Sequence, residues 1–409
     1  MKRSLALIIM AAGLTLLACQ PPSSISTNTN EASSDSAASA ADWESFAEQV
    51  VTQNAGVKEN DIVLIFGGAQ DSELLESLAV HVRKVGAFPL VKLNSDRMTR
   101  RMVTDVPEKY DSQVSQMDMK LASIVNVRIG VDSALTEDLM AGVDPKRREA
   151  SDKASQIAEN EFFRRGVRQV FIGNGFYPAE WRAQRFGISQ PEMAKLFRDG
   201  IHMDYSELPA KAEEVRKFLA GGKELHITNP NGTDLKVNIQ GRPAGVSDGI
   251  ISAEDVRKGG SNATAWLPAG EVYLVPVAGT AEGKVVQTRG FFGDNGKELT
   301  DLTVTFEKGK LVSLTGSGPG FPDLKARYDA AGPGKEGFAY VDFGINPSVK
   351  IPESSKLGNW VPAGTITVGF GENVWAGGNV QGFGHALFLP GSTVTLDGKP
   401  IIENGQLKL

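Results

Sequence analysis

The sequence predicts an α/β protein in which an N-terminal domain with a parallel sheet precedes a β-rich C-terminal domain. In the first half, short apolar runs alternate with segments of helical spacing, which is typical of βαβ units. In the second half, apolar and polar residues alternate between turn signals, and glycine is frequent, with 45 of 409 residues in the whole chain. We place the boundary near Gly221-Gly222, which gives an α/β domain over residues 42–222 and a β-rich domain over residues 223–409.

The first domain begins with a helix over residues 43–54 that Asp42 can cap. The apolar run 61–66, closed by Gly67-Gly68, suits a strand buried on both faces. A helix with apolar residues at helical spacing follows, and then the next strand. The remaining predicted elements are a helix at 71–85, strands at 88–93, 124–129 and 167–172, and helices at 145–165, 189–199 and 206–219.

The second domain opens with a predicted β-hairpin. Asn229-Pro230-Asn231-Gly232 is a strong turn signal between two stretches of alternating apolar residues. The further predicted elements are strands at 272–277, 284–288, 302–306, 311–314, 340–343, 365–370, 386–389 and 393–396, with a short helix at 324–330.

The first residues have the pattern of a targeting segment. Lys2 and Arg3 precede a short apolar run at 5–17, which predicts a signal peptide over residues 1–18. The sequence Leu16-Leu17-Ala18-Cys19 resembles the bacterial lipobox, and this resemblance implies lipidation of Cys19 and a membrane anchor. A plain secretory signal with an incidental cysteine is the alternative. Cys19 is the chain's single cysteine, which excludes an intrachain disulfide.

Residues 19–41 are rich in Ser, Ala, Asn and Thr and lack large apolar side chains, so they predict a disordered tether. Gln20 follows the cysteine where an aspartate would signal retention at the inner membrane. By resemblance to Gram-negative lipoproteins, this implies the outer membrane, facing the periplasm. The net charge of −6 argues against a nucleic-acid partner.

Two carboxylates and one histidine in the second domain are candidates for chemistry. Glu271 stands at the entry to an apolar strand, and Asp342 lies inside the apolar run 338–345, where a carboxylate needs a partner or a metal. His385 lies in a glycine-rich, apolar setting. Taken alone, each of these residues more often has a structural role. A hydrolase that uses the two carboxylates as an acid–base pair is an alternative, but the sequence contains no nucleophile motif that supports it.

In their order along the chain, these residues and their surroundings resemble the aminopeptidase T-like metallopeptidases, a family of thermophilic metallopeptidases that includes leucyl aminopeptidase-type enzymes. The resemblance covers nearly the whole mature chain. Its most specific motif is Leu267-Pro268-Ala269-Gly270-Glu271-Val272. The other matching stretches are 177–183, 232–242, 343–347, 364–365, 371–373, 377–379, 385, 396–398 and 403–405.

The resemblance implies a site of two zinc or cobalt ions held by two glutamates, two histidines and an aspartate. Paired metals about 3.5–4 Å apart polarise the peptide carbonyl and generate a hydroxide nucleophile. The first glutamate corresponds to Glu271 and the second to Asp342, which we predict as catalytic and metal-binding residues. The histidines correspond to Thr367 and His385, and the aspartate corresponds to Leu387. Threonine is a poor zinc ligand and leucine is none, so two ligand positions are degraded.

Two functions follow from this incomplete ligand set. The first is an envelope lipoprotein that acts as a metal-dependent aminopeptidase with reduced activity and removes N-terminal residues from peptides. The second is a non-catalytic relative, a pseudoenzyme, that binds peptides or another small ligand. Whether the chain is an enzyme stays open. The resemblance implies zinc or another divalent metal and, as the default assembly, a homodimer. Because two ligand positions are degraded, we expect at most one metal ion per chain, or none.

Overall fold

Three sheets organise the chain in a computed structural model that describes residues 42–293, 296–355 and 357–409. Among the described residues, the strands are β1 Ile62–Gly68, β2 Phe88–Asn94, β3 Val127–Val131, β4 Arg168–Ile172, β5 Glu224–Asn229, β6 Thr233–Asn238, β7 Gly245–Ser247, β8 Thr264–Leu267, β9 Glu271–Leu274, β10 Glu282–Phe292, β11 Lys297–Glu307, β12 Lys310–Ser317, β13 Phe338–Gly344, β14 Ile366–Gly371, β15 Gly384–Leu389, β16 Thr393–Leu396, β17 Lys399–Glu403 and β18 Gln406–Leu407.

The described helices lie mostly in the first half of the chain. They are α1 at residues 42–49, α2 Ser72–Lys84, α3 Asp96–Thr104, α4 Gln116–Ile124, α5 Pro145–Arg164, α6 Glu180–Phe186, α7 Gln190–Ile201, α8 Leu208–Ala220, α9 Ala253–Lys258 and α10 Phe321–Ala330. Helix α1 continues into a π-helical turn, Val50–Asn54. Within the described ranges, none of these helices combines the length and apolar character needed to cross a membrane.

The first sheet is parallel and has the order β2-β1-β3-β4-β8. Every residue of β3 is buried, as expected for a central strand covered on both faces. The other two sheets are antiparallel, with the orders β12-β11-β10-β6-β5-β16-β17-β18 and β15-β14-β13-β9-β7. Along β6, buried and exposed residues alternate, as in a strand with one solvated face. The predicted fold class is confirmed.

Local sequence explains where several helices begin. Ser189 caps α7 by accepting a hydrogen bond from the backbone N–H of Glu192, whose carboxylate accepts one from the Ser189 backbone in return. Asp144 caps α5 by accepting a hydrogen bond from Lys146, and Pro145 occupies the first helical position, where its missing N–H is harmless. Both helices bury apolar side chains in the core, such as Phe162 of α5 and Met193 of α7.

Strand β8 was not predicted, although it forms the edge of the parallel sheet. It has only four residues, and its Trp266 is exposed, so it carries neither the length nor the apolar run of a buried strand. The strand predicted at 124–129 starts later, at Val127, because α4 extends to Ile124. The described residues from 42 to 409 form one compact unit, and the boundary near Gly221-Gly222 stays a prediction. The predicted signal peptide, tether and lipidation of Cys19 lie outside the described residues.

Candidate active site

Glu271 and Asp342 lie on the same face of neighbouring strands. In the antiparallel pair β9–β13, Glu271 is opposite Gly344, and Tyr273 is opposite Asp342. Side chains opposite each other share a face, and so do those two residues apart along a strand. The register therefore makes the two carboxylates diagonal neighbours, although 71 residues separate them in the sequence.

Gly270 fixes the position of Glu271. Its φ is +134°, which L side chains rarely adopt, and a Cβ there would lie 2.6 Å from the Cβ of Asn346. The Asn346 side chain donates a hydrogen bond to the Ala269 carbonyl at 2.6 Å, and the Ile345 N–H donates to the Gly270 carbonyl at 2.8 Å. The loop before β9 is thus tied to the end of β13, which positions both carboxylates.

The two carboxylates line a cavity of about 600 Å³ between the parallel sheet and the third sheet. Asp132 and Asn174 face this cavity too, and each follows the carboxyl end of a parallel strand, β3 and β4 respectively. Glu271 follows β8 in the same way. Ligands of open α/β sheets bind outside the carboxyl ends of the strands, so this cavity has the expected position. Sequence reasoning missed Asp132 and Asn174, and their signal was a polar residue within two positions of the end of an apolar strand.

Aromatic side chains form much of the cavity wall. The Trp375 ring lies 4.7 Å from that of Tyr340 and 5.0 Å from that of Tyr273, measured between centroids. From the parallel sheet, Trp266 stacks on Phe171 with 4.7 Å between the ring centroids. Trp266 is 47% exposed and Trp375 is 40% exposed, which is unusual for such large apolar groups. Sequence reasoning did not predict these aromatic residues as part of the site.

Burial makes the two carboxylates hard to ionise. Desolvation raises the pKa of Glu271 to about 8, and side-chain hydrogen bonds from Asn174 and Trp360 oppose this shift. Desolvation, followed by the nearby charge of Glu271, raises the pKa of Asp342 well above its usual range. Burial and, to a smaller extent, the negative charges of Glu271 and Asp342 raise the pKa of Tyr273 to about 12. A positive charge in this cavity would stabilise the ionised carboxylates.

Thr367 joins this pair. It lies opposite Asp342 in the pairing of β13 with β14, and only 1% of its surface is exposed. The Oγ1 atom of Thr367 and the Oδ1 atom of Asp342 are both buried without a hydrogen-bond partner. Buried polar atoms are nearly always paired, so these two oxygens indicate a site that a ligand completes.

His385 and Leu387 lie on the other face of the sheet. Strand β15 places Phe388 opposite Thr367, and His385 and Leu387 are each an odd number of residues from Phe388. His385 instead contacts the rings of Phe292 and Phe370, each at 5.8 Å, and lines a second cavity with Glu372. Burial lowers the pKa of His385 to about 4. Strand register therefore separates these two residues from Glu271, Asp342 and Thr367, although the resemblance implies one site for all five positions.

The residues around Glu271 do not fit the metal centre that the resemblance implies. The described part of the chain contains no group of three or more His, Cys, Asp or Glu side chains that could hold a metal ion. Catalytic zinc takes three protein ligands and a water, and Glu271 and Asp342 supply two. The hydroxyl of Thr367 is neutral and adds no charge to balance the ion. The catalytic roles predicted for Glu271 and Asp342 stay predictions.

Comparisons with known proteins agree with this fold. Wild-type AmpT from Thermus thermophilus has a similar structure, with a TM-score of 0.70 and 16% identity over 90% of this chain and 99% of that chain. The 2,5-dihydroxypyridine dioxygenase from Pseudomonas putida KT2440 has a TM-score of 0.53 and 14% identity over 90% of this chain and 97% of that chain. At such low identity, these likenesses show the fold alone. No curated protein sequence matches the chain.

The family assignment comes from the sequence. Residues 40–318 match the family described as thermophilic metalloprotease (M29). The match includes Glu271 and ends before the other four predicted site positions. Enzymes of this family are aminopeptidases that use divalent metals. Because the match spans more than half of the 409 residues, the chain belongs to the thermophilic metalloprotease (M29) family.

Proposed function

We propose that this chain is a ligand-binding member of the M29 family that binds peptides and has little or no aminopeptidase activity. The arrangement of the predicted ligands supports this proposal most strongly. Glu271 and Asp342 share one cavity, whereas His385 lies on the opposite face of the same sheet. Two carboxylates without a histidine leave a zinc ion short of protein ligands.

The cavity retains what a binding site needs. Its volume of about 600 Å³ lies in the range of sites that enclose a small molecule or a few residues of a peptide. Trp266 and Trp375 offer large rigid surfaces to an apolar side chain. Peptides are the ligand class that the family suggests.

A second candidate is a weak peptidase with one metal ion. The observation in its favour is the pair of unpartnered oxygens on Asp342 and Thr367, which an ion could satisfy together with Glu271. Hydroxyl and carboxylate oxygens suit hard cations better than zinc. This candidate therefore requires activity that depends on a weakly held, oxygen-preferring metal.

We also propose that the protein acts at the cell envelope. A lipid anchor is supported by the basic residues Lys2 and Arg3, the apolar run at 5–17 and Cys19. Gln20, in place of an aspartate, supports the outer membrane, facing the periplasm, as the location. The family resemblance supports a homodimer as the assembly. Cys19→Ser should move the protein from the membrane fraction to the soluble fraction or stall its processing. Unchanged fractionation with normal signal cleavage would remove the lipoprotein proposal.

Two assays on the purified mature protein test the proposed activity. Hydrolysis of aminoacyl p-nitroanilides would be measured with and without added zinc, cobalt or manganese, with an active M29 enzyme as the positive control. Binding of unlabelled tripeptides would be measured by calorimetry. We expect binding without appreciable turnover. Turnover comparable to the control enzyme would refute the proposal, and turnover only with an added oxygen-preferring metal would favour the second candidate.

A further inference from the structure

We propose that a third cavity, of about 570 Å³ beside the start of β13, is an anion site that binds a phosphate monoester. The turn between β11 and β12, the segment before β13 and the loops that follow β9 and β14 form much of its wall. Among the described residues, it shares no lining residue with the cavity that contains Glu271 and Asp342. The inference therefore goes beyond the proposed peptide binding and does not depend on it.

Positive charge predominates in this cavity, although the chain as a whole carries a net charge of −6. Arg242, Lys308 and Lys310 line it, and Glu336 is the one carboxylate among its described lining residues. Glu336 lies 4.0 Å from Lys310, whereas neither Arg242 nor Lys308 forms an ion pair with a described residue. These two cations thus lack a counter-ion from the protein, and a cleft lined by one sign of charge concentrates ions of the opposite sign.

Backbone contacts hold the two lysines at the wall of the cavity. Lys308 and Gly309 form the two-residue turn between β11 and β12, with φ values of +49° and +73°. The Gly309 N–H donates to the Ala281 carbonyl at 2.9 Å, and the Phe338 N–H donates to the Gly309 carbonyl at 2.9 Å. A Cβ on Gly309 would lie 2.6 Å from the backbone nitrogen of Gly279, so the turn packs closely on this loop. A fixed backbone of this kind lowers the entropic cost of binding.

Two further side chains offer donors at fixed positions. Arg242 donates from Nε to the Val275 carbonyl at 2.7 Å, and its two terminal nitrogens donate to no described residue. Asn373 lines the cavity and is 6% exposed, and its side-chain oxygen accepts from the Val380 N–H at 2.9 Å. The NH₂ group of Asn373 has no acceptor in the described part of the chain. Because buried polar groups are nearly always paired, this amide indicates a site that a ligand completes.

These donors suit a phosphate monoester better than a carboxylate. A phosphate monoester carries about −1.5 to −2 charges near pH 7 and has three acceptor oxygens. A carboxylate carries a single charge and has two oxygens. The guanidinium of Arg242 can bind two phosphate oxygens side by side, with Lys308 as a point charge beside it. The volume of the cavity also accommodates the organic group that carries the phosphate.

Two sources could supply this group: a soluble phosphate ester and the headgroup of a lipid. Both are tested on the mature chain carrying Cys19→Ser, so that no lipid anchor binds vesicles by itself. Calorimetry measures the binding of glycerol 3-phosphate, with glycerol as its uncharged twin and succinate as a carboxylate of equal charge. Sedimentation with phosphatidylcholine vesicles, prepared with and without phosphatidic acid, measures the lipid source. We expect at least one phosphate probe to bind at least about tenfold more tightly than its phosphate-free counterpart, and the tighter probe identifies the source.

Variants locate the site. Arg242→Gln removes the guanidinium and should weaken the phosphate probe at least about tenfold. Lys308→Gln removes an exposed charge and should weaken it about threefold, which keeps the test valid if Arg242→Gln does not fold. The matched control is Lys350→Gln, which removes an exposed lysine beyond the other end of β13 and should bind like wild type. Thermal unfolding would verify that each variant is folded.

Three results would overturn the inference. Succinate bound as tightly as glycerol 3-phosphate would show a response to charge without recognition of phosphate. A lack of measurable binding to both glycerol 3-phosphate and phosphatidic acid would remove the site. Equal losses of binding in Lys308→Gln and Lys350→Gln would place the bound phosphate outside this cavity.

Discussion

Asp342 and Thr367 lie opposite each other across β13 and β14, and each holds a buried oxygen without a hydrogen-bond partner. Their neighbour Glu271 lies on the same sheet face. Position 367 is therefore the place from which one substitution could add a third metal ligand. Position 387, which the family resemblance would pair with it, lies on the opposite face.

We predict that Thr367→His creates a zinc site. An imidazole at this position would join the carboxylates of Glu271 and Asp342, and three ligands with a water complete the coordination of catalytic zinc. Zinc affinity, measured by competition with a chelating dye, should rise by at least about tenfold over wild type. The control is Thr367→Gln, which adds bulk without an imidazole. Equal zinc affinity in the two variants would show that position 367 does not face the carboxylates.

We predict that Leu387→Asp adds no metal affinity and destabilises the fold. Leu387 is fully buried, and its partner across β14 is Val368, so the new carboxylate would be desolvated among apolar groups. We expect a loss of at least about 3 kcal/mol in the free energy of unfolding, measured with guanidinium chloride. The control Leu387→Met conserves the volume and should cost about 1 kcal/mol. A stable aspartate variant with raised zinc affinity would reverse the assignment of the strand face.

We predict that Glu271→Gln stabilises the ligand-free protein at alkaline pH. The pKa of Glu271 is raised from 4.5 to about 8, so its favourable contribution to folding is present below pH 4.5 and is lost as the pH rises towards 8. Glutamine keeps the shape and does not ionise. The variant should have the same free energy of unfolding as wild type near pH 4 and a higher one, by roughly a few kcal/mol, at pH 8. An advantage of the same size at both pH values would rule out ionisation as its cause.

The fold could be predicted from sequence where the signal was local. The apolar run closed by Gly67-Gly68 became β1, and the turn at Asn229-Gly232 became the β5–β6 hairpin. Such signals depend on residues near each other in the chain. Strand β8 carried no such signal, because it is four residues long and its Trp266 faces the cavity.

The site could be predicted only in part, for a reason that concerns register. Glu271 and Asp342 were expected to meet, and they line one cavity. His385 was expected beside them, but a residue's sheet face depends on how strands pair, and a shift of one residue reverses it. The spacing of residues along the sequence does not show how the strands pair. The wall residues Trp360 and Trp375 come from loops, where no periodic pattern marks a contact.

The zinc stoichiometry of the purified protein tests the central claim most directly. The protein would be saturated with zinc, passed through a desalting column and analysed by inductively coupled plasma mass spectrometry against its amino-acid content. Because Glu271 and Asp342 share a cavity from which His385 is excluded by the sheet, we predict less than one retained zinc ion per chain. Two ions retained per chain would contradict the account, since they require a ligand set that the described residues do not assemble.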